Sequence, residues 1–526
     1  MKRALVVGLL ALLAACGDDD AIAPVICPDA GAVEAGPAVV EPIDAGPLTR
    51  DALAPDVAPP PARQTTLTLL RASASARFVG VTTGASPHVA YLELNDENTF
   101  DLSVLPVAGG SPAVLQKGLD LFSGDGVLLR GGVLAWYLGV NADNVAPAIH
   151  LWSAAAGAKT VTTPTQAGMF WATEDGARVA FSVNATLDTT DIAVTPMSAP
   201  SATVPALAGA NAMNLVVSPL DCPARLDFRG ATFIGAYCTG VLDTQVQPRL
   251  VTVGADGAAV VRLDNTVPGN DFDGTWATDA AGAKIVVNDA VAGAHLVDAS
   301  SIATTVVGTI AKVDALGIVP DGSAARYLVG GALKKATFAD PPVVTDLLPS
   351  GVDRLFVMTK DSKTLLYAKT NAGGLNDLYA LDLAAPGTPR ALRASATNVY
   401  FGLTGTQTHA FVIDVADVDA NRVYAVPIAG GPPVLLVDPV HPLGGGLDLE
   451  PSPASTGLVF TIDSSAVPGT ALERSTLGYV DALKGGGLEP AATILRAQDE
   501  RGDWSGNTYV FRDVGTKPGI YALTLP

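Results

Sequence analysis

The sequence is poor in the residues from which most enzyme sites are built. It has five histidines and four cysteines among 526 residues, with no Cys-x-x-Cys pair and no cysteine–histidine spacing typical of a metal site. The short motifs Gly-x-Ser-x-Gly, His-Glu-x-x-His and Gly-x-x-x-x-Gly-Lys-Ser are missing as well. These absences favour a binding protein, although they do not exclude an enzyme whose site is assembled from distant parts of the chain.

Basic charge and long apolar runs are also scarce. The chain has 32 Lys and Arg against 52 Asp and Glu, a net charge of −20 at pH 7, and no basic cluster. Such a surface repels nucleic acid and anionic lipid, so we expect no nucleic-acid partner. After Cys16 no apolar run approaches the roughly 18 residues that span a bilayer. No long stretch keeps the 3.6-residue period of a helix, which indicates an all-β chain.

The N-terminus predicts a secretory signal over residues 1–15. Lys2 and Arg3 precede an apolar run that is too short to span a bilayer. The segment Leu13-Ala14-Ala15-Cys16 resembles the lipobox of bacterial lipoproteins, which implies cleavage before Cys16 and lipidation of its thiol. Acyl chains such as palmitate anchor a protein with about 0.8 kcal/mol per buried CH₂. Gly17 favours the outer membrane, with the protein facing the periplasm or the surface. The alternative is an ordinary signal peptide with a chance cysteine.

Residues 16–63 are predicted to be a lipidated cysteine followed by a disordered tether. Beyond the cysteine they hold nine prolines and nine acidic residues against two arginines, and no aromatic residue. Such a segment cannot bury enough apolar surface to offset the entropy lost on ordering. Extended at about 3.1 Å per residue, it would reach up to roughly 140 Å from the membrane.

The remaining cysteines predict one disulfide. Cys222 and Cys238 are close in sequence, and an exported protein folds where disulfides form. Such a bridge would contribute about 3 kcal/mol to the free energy of unfolding. Cys27 is then left over in the tether, as a free thiol or an intermolecular link.

Residues 64–526 show a repeat of short β-rich runs and turns. Val104–Leu115 and Ala425–Leu436 share six of twelve residues, as a strand, a Gly-Gly turn and a return strand. Related hairpins recur with a mean period near 46 residues, in the range of propeller blades. The polar residue that opens the third strand of each unit marks ten units: Asp101, His150, Asp191, Arg249, His295, Lys334, Asp377, Arg422, Thr476 and Gly519. We attribute the extra length of the widest units to loop insertions, around residues 222–240 and 468–474.

A second landmark is the turn between the first two strands. It is seen in Trp171-Ala-Thr-Glu-Asp-Gly176, in the segment from Trp276 to Gly282, in Val319–Gly322 and in Thr359–Ser362. This turn resembles the Trp-Ser-Pro-Asp-Gly motif of TolB-type, WD40-like propellers. Their Asp-Leu-Tyr-Val strand is matched by Asp377-Leu-Tyr-Ala380 and Asp191-Ile-Ala-Val194. The resemblance implies a β-propeller of four-stranded antiparallel blades with a binding role, and it transfers no catalytic residue.

The ends of the repeat region predict how the propeller closes. The last unit offers only three strands, at residues 503–506, 507–513 and 519–525, while Thr65–Arg71 has strand character and no unit of its own. Pairing these segments would remove the exposed sheet edges. We therefore expect one ring of about eight to ten blades, and two rings as the alternative.

No candidate site is complete in the sequence. His150 and His295 occupy the same repeat position, so we interpret them as the polar start of a strand. Asp417–Asn421 and Asn270–Gly274 begin like calcium loops, but the first lacks the glycine and the bidentate glutamate that such loops need. We interpret both as capped turns, with calcium as the alternative. Arg501-Gly502-Asp503 is interpreted as a turn that opens the last blade.

These observations predict a non-enzymatic binding or interaction scaffold without a cofactor. Its partner would be a protein or glycan of the cell envelope, and its one contact with the bilayer would be the Cys16 lipid. We expect a monomer. One alternative is a propeller hydrolase or lyase that acts on a carbohydrate or lactone at the central pocket, with carboxylates gathered there. Another is a purely structural envelope protein.

Overall fold

The computed structural model describes residues 65–525, apart from 187–188, 203–205, 212–224, 240–246, 265–275, 290–292, 301–305, 311–312, 319–321, 373, 387, 397–402, 418–419, 441–447, 468–470, 484–488 and 498–500. Every regular element in this part of the chain is a strand. Small antiparallel sheets form a ring, which is a ten-blade β-propeller. The sheets of blades 3 and 4 are joined into one through the pair Ala210–Thr239. Within the described residues no helix has the length and apolarity needed to cross a membrane.

The strands have the following bounds. β1 (Thr66–Ala72) precedes blade 1, which contains β2 (Ala76–Val81), β3 (His88–Leu94), β4 (Phe100–Pro106) and β5 (Ala113–Leu119). Blades 2 and 3 contain β6 (Gly126–Arg130), β7 (Val133–Tyr137), β8 (Val145–Ala146), β9 (Ile149–Ser153), β10 (Gly157–Val161), β11 (Thr165–Gln166), β12 (Phe170–Ala172), β13 (Arg178–Val183), β14 (Thr189–Pro196) and β15 (Leu207–Asn211). Blades 4 and 5 contain β16 (Arg225–Arg229), β17 (Thr232–Thr239), β18 (Gln247–Val253), β19 (Ala259–Asp264), β20 (Trp276–Thr278), β21 (Lys284–Asp289), β22 (Gly293–Asp298) and β23 (Val306–Ile310).

The second half of the ring continues the pattern. Blades 6 and 7 contain β24 (Ala315–Ile318), β25 (Ala324–Val329), β26 (Ala332–Thr337), β27 (Val344–Leu348), β28 (Arg354–Met358), β29 (Thr364–Thr370), β30 (Asn376–Asp382) and β31 (Arg390–Ala396). Blades 8, 9 and 10 contain β32 (His409–Asp417), β33 (Ala420–Pro427), β34 (Val434–Val440), β35 (Asp448–Pro451), β36 (Gly457–Ala466), β37 (Leu472–Asp481), β38 (Glu489–Ala497), β39 (Asp503–Ser505), β40 (Thr508–Asp513) and β41 (Gly519–Thr524).

The turn that links the first two strands of a blade is held by a buried Thr or Asp side chain. In blade 3, Arg178 N donates to Thr173 Oγ1 at 3.0 Å, and that hydroxyl donates to Asp175 Oδ1 at 2.6 Å. Thr359 and Asp361 repeat the arrangement in blade 7. In blade 5, Asp279 accepts two backbone amides directly. These hydrogen bonds explain why the turn recurs in the sequence.

The hydrophobic core consists of ten clusters, one at each junction between neighbouring blades. Successive residues of a strand point to opposite faces of its sheet. In β3, Val89 and Tyr91 therefore pack towards blade 10, while Ala90 and Leu92 pack towards blade 2. Both faces of each blade are buried, which explains why the middle strands are almost continuously apolar.

The ring closes as the sequence predicts. β1 is antiparallel to β41, with Thr66 opposite Thr524 and Ala72 opposite Gly519. One core cluster joins blade 9 to blade 10 and another joins blade 10 to blade 1. First strands of neighbouring blades contact each other at several junctions, including β39 with β2. A single ring of ten blades is therefore correct, and the two-ring alternative is wrong.

Three elements depart from the repeat. In blade 9 the third strand begins at Leu472, four residues before the predicted position, so its extra residues lengthen the hairpin. Within the described residues blade 8 has three strands. In place of a first strand it has an isolated β-bridge between Leu403 and Ala410. Between blades 2 and 3, β8 and β11 form an additional two-stranded sheet.

Candidate functional site

The recurring polar position of the third strand is used within each blade. The amides of Asn95, Asn184 and Asn371, just after the second strand, donate to carboxylates at this position at 2.9–3.0 Å. The carboxylates that accept these bonds belong to Asp101, Asp191 and Asp377. In blade 6, Lys334 at the same position pairs with Asp346 at 2.6 Å. These contacts hold the strands of one blade together, and none of them gathers side chains from several blades.

The described histidines lie in four separate blades of the ring, blades 1, 2, 5 and 8. His150 Nδ1 is 3.0 Å from Thr160 Oγ1, and His295 Nδ1 is 3.2 Å from Thr309 Oγ1, so both bridge the third and fourth strands. His150 also stacks on Trp136, and its burial lowers its pKa below the usual value. Among the described residues no three His, Cys, Asp or Glu side chains form a group that could hold a metal ion.

The other predicted sites have different outcomes. Asp503, from the Arg501–Asp503 tripeptide, accepts the Val81 amide at 2.7 Å and so ties blade 10 to blade 1. The candidate calcium segments lie wholly or partly outside the described residues. Cys16, Cys27 and Cys222 also lie outside them, while Cys238 is on β17. The lipidation of Cys16 and the Cys222–Cys238 disulfide therefore stay predictions.

Arginine side chains form several of the polar links between neighbouring blades. Arg178 of blade 3 donates to the Ala231 carbonyl of blade 4. Arg262 of blade 4 donates to the Ala299 carbonyl of blade 5 at 3.0 Å. Arg390 of blade 7 donates to the carbonyl of Ile428 in blade 8 in the same way. Burial lowers the pKa of Arg178 and Arg262 from their ordinary value, but arginine remains charged at neutral pH.

Three other arginines converge on an open cleft between blades 9 and 10. Arg496 lies near the end of β38, Arg501 just before β39, and Arg512 near the end of β40. Asp503 is opposite Val510, so continuation of this register brings Arg501 opposite Arg512. All three lie on the face of the ring where the first strands begin. The cleft measures about 230 Å³ including its open mouth, and its enclosed part has room for about one water molecule.

Part of the lining of the cleft is apolar, and one of its arginines is held by an acidic partner. Leu477, Ile494 and Phe511 line it and belong to the core cluster of blades 9 and 10. Arg496 is fixed by a hydrogen bond from its Nε to Glu473 Oε1 at 2.8 Å, where the two residues face each other across β37 and β38. The pair is nearly buried, with 7% and 14% of the side-chain surfaces exposed.

Two polar groups complete the lining. The Tyr509 hydroxyl accepts the Gly502 amide at 3.0 Å, and a Cβ at Gly502 would lie only 2.3 Å from the tyrosine ring, so only glycine fits there. Thr461 is 1% exposed, and its hydroxyl has no hydrogen-bond partner within the described structure. A buried hydroxyl without a partner costs about 1–3 kcal/mol, so this atom is suited to bond a water or a ligand oxygen.

The arrangement can bind an anionic group. Arginine presents a planar fork of donors that matches carboxylate geometry, and an apolar surrounding strengthens such contacts. No acidic residue is among the described residues that line the cleft. Sequence reasoning missed this site because its residues come from β36, β37, β38, β40 and the segment just before β39, which no local motif connects. The one available signal was three arginines within seventeen residues of an acidic chain.

Comparisons of the chain with known proteins found distant structural neighbours. No protein-family model matches the chain, and no curated protein does. The similar solved structures include a eukaryotic initiation factor, at 12% identity and a TM-score of 0.40, which covers 69% of this chain and 89% of that one. A putative TolB from Agrobacterium tumefaciens has 12% identity and a TM-score of 0.26, covering 51% and 94%. An oligogalacturonate lyase in complex with manganese has 10% identity and a TM-score of 0.34, covering 88% and 96%. TolB proteins are thus among the structural neighbours of this propeller.

Proposed function

We propose that the protein is an exported lipoprotein whose ten-blade ring is a non-enzymatic binding scaffold for a protein or glycan of the cell envelope. The observation that carries this proposal is the composition of the cleft between blades 9 and 10. It offers arginine donors for an anionic group. The described residues that line it include no histidine or carboxylate that could serve as a general base or nucleophile.

The use of the other polar side chains supports the same proposal. The recurring Asp residues accept hydrogen bonds from Asn side chains and turn amides of their own blade. Catalysis at a central pocket would need several such groups within hydrogen-bond reach of one substrate. The four described histidines instead come from four separate blades.

The anchored location is proposed from the sequence. Cys16 would carry the lipid, and the tether would hold the ring away from an outer membrane. The acidic balance of the chain keeps an exported domain soluble and away from anionic headgroups. The tether would confine the ring to a shell near the membrane. This raises the effective concentration of the ring for a partner in the cell envelope.

Metabolic labelling with a radiolabelled fatty acid tests the anchor. We expect incorporation into the wild-type chain and its loss in Cys16→Ala, with that variant released to the soluble fraction. Cys27→Ala is the matched control, since it removes the neighbouring tether cysteine and should keep both the label and the membrane fraction. Membrane retention of unlabelled Cys16→Ala would contradict the lipoprotein assignment.

Incubation of the purified protein with oligosaccharides and lactones, followed by product analysis, tests the scaffold role. We expect no turnover above that of the buffer. Product formation that scales with the protein concentration, and that disappears after heat unfolding, would replace the scaffold proposal with the enzyme alternative.

A further inference from the structure

We propose that the cleft between blades 9 and 10 binds the carboxylate group of a ligand that carries a single negative charge. This inference rests on the proposed binding role and adds the chemical class of the ligand. It draws on the convergence of three arginines, on the unpartnered hydroxyl of Thr461 and on the size of the cleft.

The cationic groups at the cleft stand out against the charge of the whole chain. Three arginines line it, and the carboxylate that contacts Arg496 is Glu473, which lies on the neighbouring strand of blade 9. The chain as a whole carries a net charge of −20. A ligand with one negative charge is attracted by the local arginines, while a polyanion is also repelled by the rest of the surface.

The size of the cleft selects a small planar group. Its enclosed part accommodates about one water molecule, and the rest is open to solvent. A carboxylate can place one oxygen there, while the body of the ligand stays at the mouth. Phosphate is bulkier and tetrahedral, and its oxygens match one planar fork less well.

Thr461 supplies a further hydrogen-bond donor in the lining of the cleft. Its hydroxyl is buried, lines the cleft and has no partner among the described residues. A carboxylate oxygen accepts a hydrogen bond from such a hydroxyl without any rearrangement of the protein. The arginine forks would then bind the same carboxylate from the open side, and Arg496 is already held in place by Glu473.

Isothermal titration of the full chain in detergent, with propionate as the probe, tests the proposal. Propionamide has the same shape without the charge, and inorganic phosphate and polygalacturonate serve as competing anion classes. We expect saturable propionate binding, and affinity for propionamide that is lower by about tenfold or more. Absence of propionate binding, or equal affinity for propionamide, would overturn the carboxylate site. Tighter binding of phosphate or polygalacturonate would overturn the single-carboxylate class.

Variants locate the binding. Arg501→Gln removes one fork at an exposed position and should weaken propionate binding by about tenfold, whereas Arg501→Lys should restore only part of it. Thr461→Val should weaken binding while the fold stays intact. Arg130→Gln is the matched control, because it removes an exposed arginine at the end of β6 in blade 2. If Arg130→Gln weakens binding as much as Arg501→Gln does, the site is elsewhere.

The titrations, taken together with the product analysis of oligosaccharides and lactones, distinguish failure of this inference from failure of the scaffold proposal. Propionate binding without conversion of any tested ligand supports both. Propionate binding together with turnover of an oligosaccharide or lactone keeps the carboxylate site and overturns the non-enzymatic role. Absence of propionate binding overturns the site alone, since the scaffold role is judged by the absence of turnover.

Discussion

Arginine has two distinct roles among the side chains of this protein. Arg178, Arg262 and Arg390 reach across to a backbone carbonyl of the next blade. Arg501 and Arg512 instead line an open cleft. The sequence does not distinguish the two groups, because arginines of both groups lie on β strands or next to them. Only the packing of neighbouring blades separates them.

Buried threonine hydroxyls provide the sharpest test at the residue scale. Thr461→Val removes a hydroxyl without a described partner, so we expect the free energy of unfolding to rise by about 1 kcal/mol in the absence of ligand. Thr173→Val is the matched comparison, because that hydroxyl accepts Arg178 N and donates to Asp175. It should lower the free energy of unfolding by about 1–2 kcal/mol. Urea unfolding measures both changes. If the free energy of unfolding changed in the same direction for the two variants, the assigned hydrogen bonding of the two hydroxyls would be contradicted.

The turn carboxylates make stability depend on pH. The Thr173 hydroxyl and the Ala177 amide hold the pKa of Asp175 below its usual value. The unfolded chain therefore takes up this proton at a higher pH than the folded chain. The stabilisation is present above the unfolded pKa and is lost as the pH falls through the lower folded one. We expect Asp175→Asn to flatten the decline of stability between about pH 5 and pH 3.

Urea unfolding at a series of pH values measures this effect. Glu97→Gln serves as the control, since it neutralises an exposed carboxylate on the second turn of blade 1. A control that flattens the pH profile as much as Asp175→Asn would show that overall charge, and not the turn hydrogen bond, sets the dependence.

Individual residues were predictable from the sequence where they repeat. The polar position of the third strand and the Thr-x-Asp turn recur, and the structure shows hydrogen bonds that explain both. The positions of Tyr509, Gly502 and Thr461 are not repeated from blade to blade. Their role in the cleft depends on the packing of blade 9 against blade 10. No pattern along the chain records such a contact.

At the scale of elements, the turns of neighbouring blades interlock on one face of the ring. The turn of blade 2 is Gly131-Gly132, and Gly132 N donates to the Thr173 carbonyl of the next blade at 3.4 Å. A Cβ on Gly132 would lie 2.9 Å from the Gly176 nitrogen, which is backbone and cannot move aside cheaply. The glycines of this turn are therefore required by the approach of blade 3.

Replacement of this glycine tests the interlocking. We expect Gly132→Ala to lower the melting temperature, because the blade 3 turn must shift to accept the methyl group. Gly126→Ala is the matched control on the preceding strand, where the added Cβ would meet its nearest atom at 3.9 Å, an ordinary contact. Equal melting temperatures for the two variants would contradict the close packing of the turns.

Most elements could be predicted because their apolar periodicity is local. The predicted strands at 507–513 and 519–525 correspond to β40 and β41. The third strand of blade 9 was placed too late, since the register of a long hairpin depends on pairing and not on composition. The sheet formed by β8 and β11 is held by tertiary contacts, with Thr165 bonded to the Ser182 carbonyl at 2.7 Å. Local sequence does not encode such contacts.

At the scale of the whole molecule, closure of the ring allows ten blades of low individual stability to form one stable domain. No blade buries both of its faces alone, so each depends on two neighbours. The repeat predicted ten units, but only the shared core clusters show that all of them belong to one ring. β1 completes blade 10 as its outer strand, and Arg71 on β1 forms an ion pair with Glu93 of blade 1 at 2.7 Å.

Thermal unfolding of two truncated chains tests closure of the ring most directly. Deletion of residues 65–72 removes β1, exposes the edge of β41 and breaks the Arg71–Glu93 pair. Deletion of residues 17–60 shortens the tether alone. The closed ring predicts a lower melting temperature for the first chain and an unchanged one for the second, relative to the full chain. Equal melting temperatures for the two truncated chains would contradict closure by the N-terminal strand.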